Sequence, residues 1–129
     1  MPFLNSYKLL LFTLLSCVFI SQTCLAESAI IPGYSGSGVW CVADLSSAVL
    51  KPSSKTKRVI AVCVKEESRS GRIVDRGVWY FMQNVNDFIY VKTNGSNDYV
   101  ELYGPSHSDF SEWKLDFFKK LEVAAYNNS

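Results

Sequence analysis

The residues best suited to nucleophilic chemistry lie around the only histidine of the chain. His107 stands between Ser106 and Ser108, and Asp109 follows them. A nucleophile, a base and an orienting acid must converge on one point in space, which neighbours on one short segment rarely do. His107 is therefore interpreted as a loop residue, and no catalytic role is assigned to it.

Paired carboxylates offer a second kind of chemistry. Glu66 with Glu67, or Asp109 with Glu112, could act as acid and base on a glycosidic bond. Such pairs are more often surface charges or helix caps, and the glycines of residues 33–38 do not form a phosphate-binding loop. The sequence therefore predicts no catalytic residue, no metal site and no cofactor, and it favours binding over catalysis.

Two cysteines, Cys41 and Cys63, remain beyond the N-terminal segment. In an oxidising compartment we expect them to form one disulfide. It would close a loop of about 21 residues and stabilise the fold by roughly 3 kcal/mol. Two free thiols are the alternative, and a zinc site is disfavoured because the chain has one histidine and no second cysteine pair.

The N-terminal segment has the three parts of a secretory signal peptide. Lys8 precedes an apolar run over residues 9–20, and the small-residue exit is Cys24-Leu25-Ala26. The run is too short to span a bilayer, which needs about 20 residues, and no second apolar stretch follows. We therefore expect residues 1–26 to be a signal peptide and residues 27–129 a single exported domain, extracellular or periplasmic, with no transmembrane segment. Lipid attachment at Cys17 is the alternative.

Charge and aromatic content narrow the class of partner. The chain has 13 basic and 12 acidic residues, and removal of Lys8 leaves 12 of each. A neutral domain argues against a nucleic-acid partner, which draws on excess positive charge. Tyrosine and tryptophan are abundant, and they favour contacts with proteins or sugars.

Two β-branched runs predict a hairpin. Residues 39–43 and 58–65 are expected to be strands on either side of a polar loop, 46–56, while residues 29–38 form an irregular or edge-bound arm. If Cys41 faces Cys63, the hairpin register is fixed. Val42 then lies opposite Val62, and Trp40 opposite Val64.

Two segments fit both helix and strand. In residues 72–86 the spacing of Val74, Val78, Phe81, Met82 and Val85 favours an amphipathic helix, although Val-Trp-Tyr-Phe is strand-like in composition. Residues 109–125 begin with a possible capping box, Asp109 and Glu112, yet also alternate as strands do. We expect a helix in the first segment and leave the second open.

A second hairpin is predicted over residues 88–103, where Asn94-Gly95 is a strong turn signal. A four-residue loop places Val91 opposite Val100 and Ile89 opposite Leu102. The other face of the hairpin then carries Tyr90, Lys92, Tyr99 and Glu101.

Four segments resemble the B (delivery) subunits of pertussis-like toxins, the group that includes those of subtilase cytotoxin and typhoid toxin. These segments are Trp40-Cys41-Val42, Val59-Ile60-Ala61-Val62-Cys63-Val64, Val78-Trp79-Tyr80-Phe81-Met82-Gln83-Asn84 and Phe88-Ile89-Tyr90-Val91-Lys92-Thr93-Asn94. The resemblance implies an oligosaccharide-binding barrel, recognition of a cell-surface glycan, oligomeric assembly and a toxin catalytic subunit as partner. The resemblance assigns a sugar-binding role to no residue of this chain, because the N-terminal arm does not align with that of the family.

A smaller similarity, at Val62-Cys63 and Gly77-Val78, is to dispersin-like surface coat proteins. These also combine a signal peptide with one disulfide and about a hundred mature residues, although they are markedly cationic.

Together these patterns predict a β-rich α+β domain, either a small OB-like barrel or a curved antiparallel sheet, with one packed helix and one disulfide. We expect a non-enzymatic binding protein, with glycan-stacking candidates Tyr34, Tyr90, Tyr99 and Tyr103. The alternative is a periplasmic inhibitor or immunity protein that blocks a lysozyme or secreted effector through a loop, 46–56 or 94–97.

Overall fold

The computed structural model describes residues 27–36 and 38–129 of the chain. The predicted signal peptide, with Cys17, lies outside the described residues. The elements in chain order are β1 (Ser28–Ile30), β2 (Val39–Lys51), β3 (Lys57–Ser68), β4 (Ile73–Asn84), β5 (Ile89–Lys92), β6 (Val100–Tyr103) and α1 (Ser111–Asn127). The prediction of a β-rich α+β fold is confirmed.

The strands form one antiparallel meander in the order β1-β2-β3-β4-β5-β6. Strands β1 and β6 are the two edges, so the sheet is open. Of the two predicted architectures, the structure shows the antiparallel sheet with one packed helix and not the barrel. Short connections between neighbouring strands explain the order, since sequential antiparallel strands pair most readily.

The register of β2 against β3 differs from the predicted one. Cys41 pairs with Glu66, and Cys63 pairs with Asp44. The residue paired with Cys41 is thus three positions away from Cys63. Because side chains alternate between the two faces of a strand, an odd number of positions places the two cysteines on opposite faces of the sheet. Both are free thiols, so the predicted disulfide is not formed.

Strand β2 also continues through most of the predicted loop 46–56. The register shifts between Asp44 and Val49, and Ser47 fixes this bulge. The Ser47 hydroxyl donates to the Asp44 carbonyl at 2.7 Å and accepts from the Cys63 N–H at 2.8 Å. Only residues 52–56 remain as a connection between the two strands.

The helix predicted over residues 72–86 is wrong, because this segment is strand β4. It is hydrogen-bonded to β3 on one side and β5 on the other. Trp79 and Phe81 face the core, whereas Tyr80 faces the opposite side. The absence of a side chain at Gly77 lets the Asn94 side chain pack closely against β4, because a Cβ on residue 77 would lie only 2.4 Å from it.

The predicted β5–β6 hairpin is largely confirmed. Val91 pairs with Val100 as expected, but Ile89 pairs with Tyr103. A bulge there puts Leu102 into the core with only 4% of its surface exposed. Gly95, with φ of 80°, sits in a turn closed by a 3.1 Å hydrogen bond from the Ser96 N–H to the Thr93 carbonyl.

Helix α1 covers one face of the sheet and resolves the ambiguity of residues 109–125. The buried helix residues are Lys114, Phe117, Phe118, Leu121 and Ala125. The helix does not begin with the predicted capping box. Its N-cap is Phe110, in the left-handed conformation and without a side-chain cap. At the other end, the Asn128 amide donates to the carbonyls of Leu45 and Ala48, both at 3.0 Å.

Candidate functional site

The face of the sheet opposite α1, here called the outer face, carries a group of apolar side chains beside charged ones such as Asp44, Lys65 and Arg76. In an antiparallel sheet with one solvated side, outward positions are expected to be polar. The register instead places the following residues on the outer face: Ile30, Trp40, Val42, Val49, Ala61, Cys63, Val78 and Tyr80. Trp40 and Val78 are each 41% exposed. An apolar patch of this kind is typical of a binding surface.

One end of the outer face carries an aromatic cluster around a cation. Tyr80 on β4 pairs with Lys92 on β5. The Lys92 Nζ lies 4.7 Å from the centre of the Tyr80 ring and 5.3 Å from that of the Tyr99 ring. Both distances are within the range of a cation–π interaction. We call these three residues the tyrosine–lysine cluster.

Burial within this cluster favours the protonated form of the Tyr99 phenol. Partial burial, and secondarily the neighbouring Tyr80, raise the pKa of Tyr99 above its ordinary value. A protonated phenol both donates and accepts hydrogen bonds. The cluster therefore offers half-buried ring surfaces, phenol hydroxyls and one ammonium group on the outer face.

The structure does not bring the four predicted tyrosines together. Tyr34 packs edge-on against Trp79 with ring centres 5.0 Å apart, and burial raises its pKa. Tyr103 packs against Phe88 at 6.1 Å and against the core. These two stabilise the fold.

The other two predicted tyrosines lie on the open side. Tyr90 pairs with Met82 and Glu101 on the outer face, and Tyr99 belongs to the tyrosine–lysine cluster. Sequence reasoning missed Tyr80, because a helix was expected in its segment. Reading residues 78–82 as a strand would have placed Tyr80 beside Lys92.

A second surface feature is a groove beside the edge strand β1, here called the edge groove. It has a volume of about 1040 Å³. Its lining comes from Glu27, from the first two strands (Ser28, Ala29, Ile30, Leu45) and from α1 (Trp113, Asp116, Phe117, Lys119, Lys120, Val123, Ala124, Asn127). The floor is apolar and the helix side carries charges of both signs. No single sequence motif predicts this groove, because two distant segments form it.

The two thiols differ in environment. Cys63 is exposed on the outer face, whereas Cys41 is buried in the core. Burial, and secondarily the charge of Glu66, raise the pKa of Cys41 to about 11. Cys41 is therefore protonated at neutral pH and is a packing residue.

The segment around His107 is a turn that is held in place by side-chain hydrogen bonds. The His107 Nδ1 lies 2.8 Å from the Glu101 Oε2, which also accepts the Ser106 N–H at 2.9 Å. The buried Lys114 donates from Nζ to the His107 carbonyl at 3.2 Å. Within residues 27–36 and 38–129, no group of three or more potential metal-ligating side chains is found.

Comparison with known proteins gives no match to any family model, curated protein or solved structure. In the described part of the chain, no helix has the length and apolar character needed to cross a membrane.

Proposed function

We propose that this chain is an exported, non-enzymatic binding protein that recognises a cell-surface glycan at the tyrosine–lysine cluster. The observation that carries the proposal is the contact of the Lys92 ammonium group with the rings of both Tyr80 and Tyr99 on the sheet face opposite the helix. The cationic side chain holds the two rings in place, so little side-chain entropy is lost when a ligand stacks on them.

A sugar ring matches this chemistry in two ways. Its C–H face stacks on an aromatic ring, and its hydroxyls form hydrogen bonds with phenols and an ammonium group. A site on the face of a sheet favours weak binding of a terminal sugar over enclosure of a whole ligand. Lys92 further favours glycans that carry a carboxylate, as acidic sugars do.

A toxin delivery subunit is one form of this proposal. It adds a catalytic subunit as protein partner and rests on the resemblance of residues 40–94 to pertussis-like toxin B subunits. A dispersin-like coat protein is another form, in which the glycan belongs to the surface of the producing cell. The gene neighbourhood separates them, because only the first form predicts an adjacent gene for a toxin enzyme.

Glycan-array binding of the exported protein tests the proposal, followed by titration calorimetry with the best sugar. We expect Tyr80→Ala and Tyr99→Ala each to weaken binding about tenfold or more. The matched control is Tyr126→Ala, which removes an exposed tyrosine from α1. Binding to no glycan, or equal binding by all three variants, would overturn the proposal.

A second candidate function, enzyme inhibition, is favoured by the exposed tip of the β2–β3 hairpin. Residues 51–58 are all exposed, and Lys51, Lys55 and Lys57 give the tip a positive charge. Such a tip fits an acidic cleft in an enzyme. A one-to-one complex lost on Lys55→Glu, but kept by Tyr80→Ala, would support this candidate over the glycan proposal.

A further inference from the structure

The outer edge of β1 presents free backbone groups in a defined pattern. The Leu45 N–H donates to the Glu27 carbonyl at 3.0 Å, and the Ile31 N–H donates to the Cys41 carbonyl at 2.9 Å. In an antiparallel ladder, alternate residues turn their backbone groups to the same side. Ser28 and Ile30 therefore point their N–H and C=O groups away from β2, where no described strand pairs with them.

Helix α1 leaves room beside this edge. The edge groove lies between β1 and the helix, with Ala29 on the side that faces α1. Trp113 and Val123 are 42% and 52% exposed there. An unprotected edge strand beside exposed apolar side chains invites pairing with another strand.

We propose that this edge pairs with the same edge of a second copy of the chain. In an antiparallel register with a two-fold axis at Ala29, Ser28 of each copy lies opposite Ile30 of the other. Each of these two pairs exchanges both backbone bonds, giving four hydrogen bonds in all. A register centred on Ile30 is disfavoured, since Pro32 would then face Ser28 and has no N–H to donate.

The proposal further places the two-fold axis nearest to residue 118 of α1, where the helix is complementary to itself. The axis is perpendicular to the extended sheet, so the two copies of α1 run antiparallel on one side of it. When Trp113 lies opposite Val123 of the second copy, Asp116 lies opposite Lys120, because both pairs have the same midpoint on the helix. The two-fold therefore places apolar against apolar and negative against positive.

The dimer has a consequence for recognition. A continuous sheet of two copies keeps both outer faces on the side away from the helices. Both tyrosine–lysine clusters then face the same direction, so that two weak sites could bind one surface together. Dimerisation itself does not depend on what the clusters bind.

Sedimentation equilibrium tests the proposal on the exported protein, expressed from its full-length gene. We expect a reversible dimer. Ser28→Pro removes an outward N–H from each copy but keeps the bonds to β2, so we expect the dimer dissociation constant to rise about tenfold or more. Ser28→Ala keeps the N–H and is the matched control.

A charge exchange tests the helix contact. Asp116→Lys and Lys120→Asp should each weaken the dimer several-fold, and the double variant should restore it. Glu112→Lys, a charge change at a helix residue outside the groove lining, is the control. Circular dichroism at low concentration confirms that the monomers are folded.

A protein that stays monomeric at high concentration would overturn the proposal. So would a dimer that Ser28→Pro leaves unchanged, or one that the double exchange fails to restore. Glycan binding by the monomer, with no dimer formed, would overturn this inference while leaving the proposed function intact.

Discussion

Val62 and Cys63 are neighbours on β3, yet they face different surroundings. Val62 points toward α1 and is only 1% exposed, whereas Cys63 points to the outer face and is open to solvent. Both faces of β3 carry apolar side chains, as do strands that are buried on both sides. One face is a core because the helix covers it, whereas the other carries apolar side chains beside charged ones such as Lys65 and is not covered by the helix. For this reason we place the proposed binding site on the outer face.

The comparison predicts that truncations of a large core side chain and of an outer-face side chain have very different costs. Phe81 is fully buried against Phe117, with ring centres 5.3 Å apart. Phe81→Ala should lower the free energy of unfolding by about 3–5 kcal/mol. Val78→Ala on the outer face should cost about 1 kcal/mol or less. Urea denaturation measures both, and similar losses would show that the outer face is covered within the monomer.

The reactivity of the two cysteine thiols also tests the difference between the core face and the outer face. At neutral pH, a pKa of about 11 lowers the thiolate fraction of Cys41 about a hundredfold relative to the ordinary value of 9.0. A thiol-specific reagent should therefore modify Cys63 rapidly and Cys41 only after unfolding. Two thiols should titrate per denatured chain of residues 27–129 without reductant. A single thiol, or none, would contradict the faces assigned to these residues.

The raised pKa of Cys41 also predicts a loss of stability in alkali. The folded chain favours the neutral thiol, so this contribution is fully present below about pH 9 and disappears as the pH rises toward about 11. Urea midpoints of the protein and of Cys41→Ala, measured from pH 7 upward, should converge over this range. A constant difference between them would contradict the burial of Cys41.

The packing of α1 on the sheet depends on hydrogen bonds at the C-terminal end of the helix. The Asn128 amide donates to two carbonyls at the β2 bulge. Asn128→Ala should therefore lower the free energy of unfolding by about 1–2 kcal/mol. Asn127→Ala is the matched control, since Asn127 is exposed and its change should have little effect on the isolated monomer.

The smallest expected effect lies in a turn that belongs to neither face. Asp87, between β4 and β5, has φ of 61°. Asp87→Gly should raise the free energy of unfolding by about 0.5 kcal/mol. Glycine removes the strain of the left-handed conformation, and this gain slightly exceeds the cost of the conformational entropy that glycine adds to the unfolded chain. Asp87→Asn, which tolerates the same conformation, should be neutral in the same urea melts.

Local patterns predicted some elements well. The hairpin around Asn94-Gly95 could be derived because turn residues and flanking β-branched runs lie within about 15 residues of one another. This also placed Tyr99 and Lys92 on one face. The third member of the cluster, Tyr80, could not be placed, since its segment matched a helical spacing as well as a strand.

The β2–β3 register failed for a different reason. Both strands are apolar on two faces, so the pattern did not specify which residues pair. The assumption of a disulfide selected one register, and the bulge held by Ser47 selects another in the structure.

The sequence by itself determined the balance of charge, the abundance of strand-forming residues and the turns that separate them, because these depend on residue type and short spacing. Tertiary structure decided that residues 73–84 are a strand, since β3 and β5 supply hydrogen-bond partners on both sides. It also decided which face is covered, and therefore which tyrosines lie on the open face. A strand pattern defines two faces, but only the packing of α1 determines which of them becomes the core.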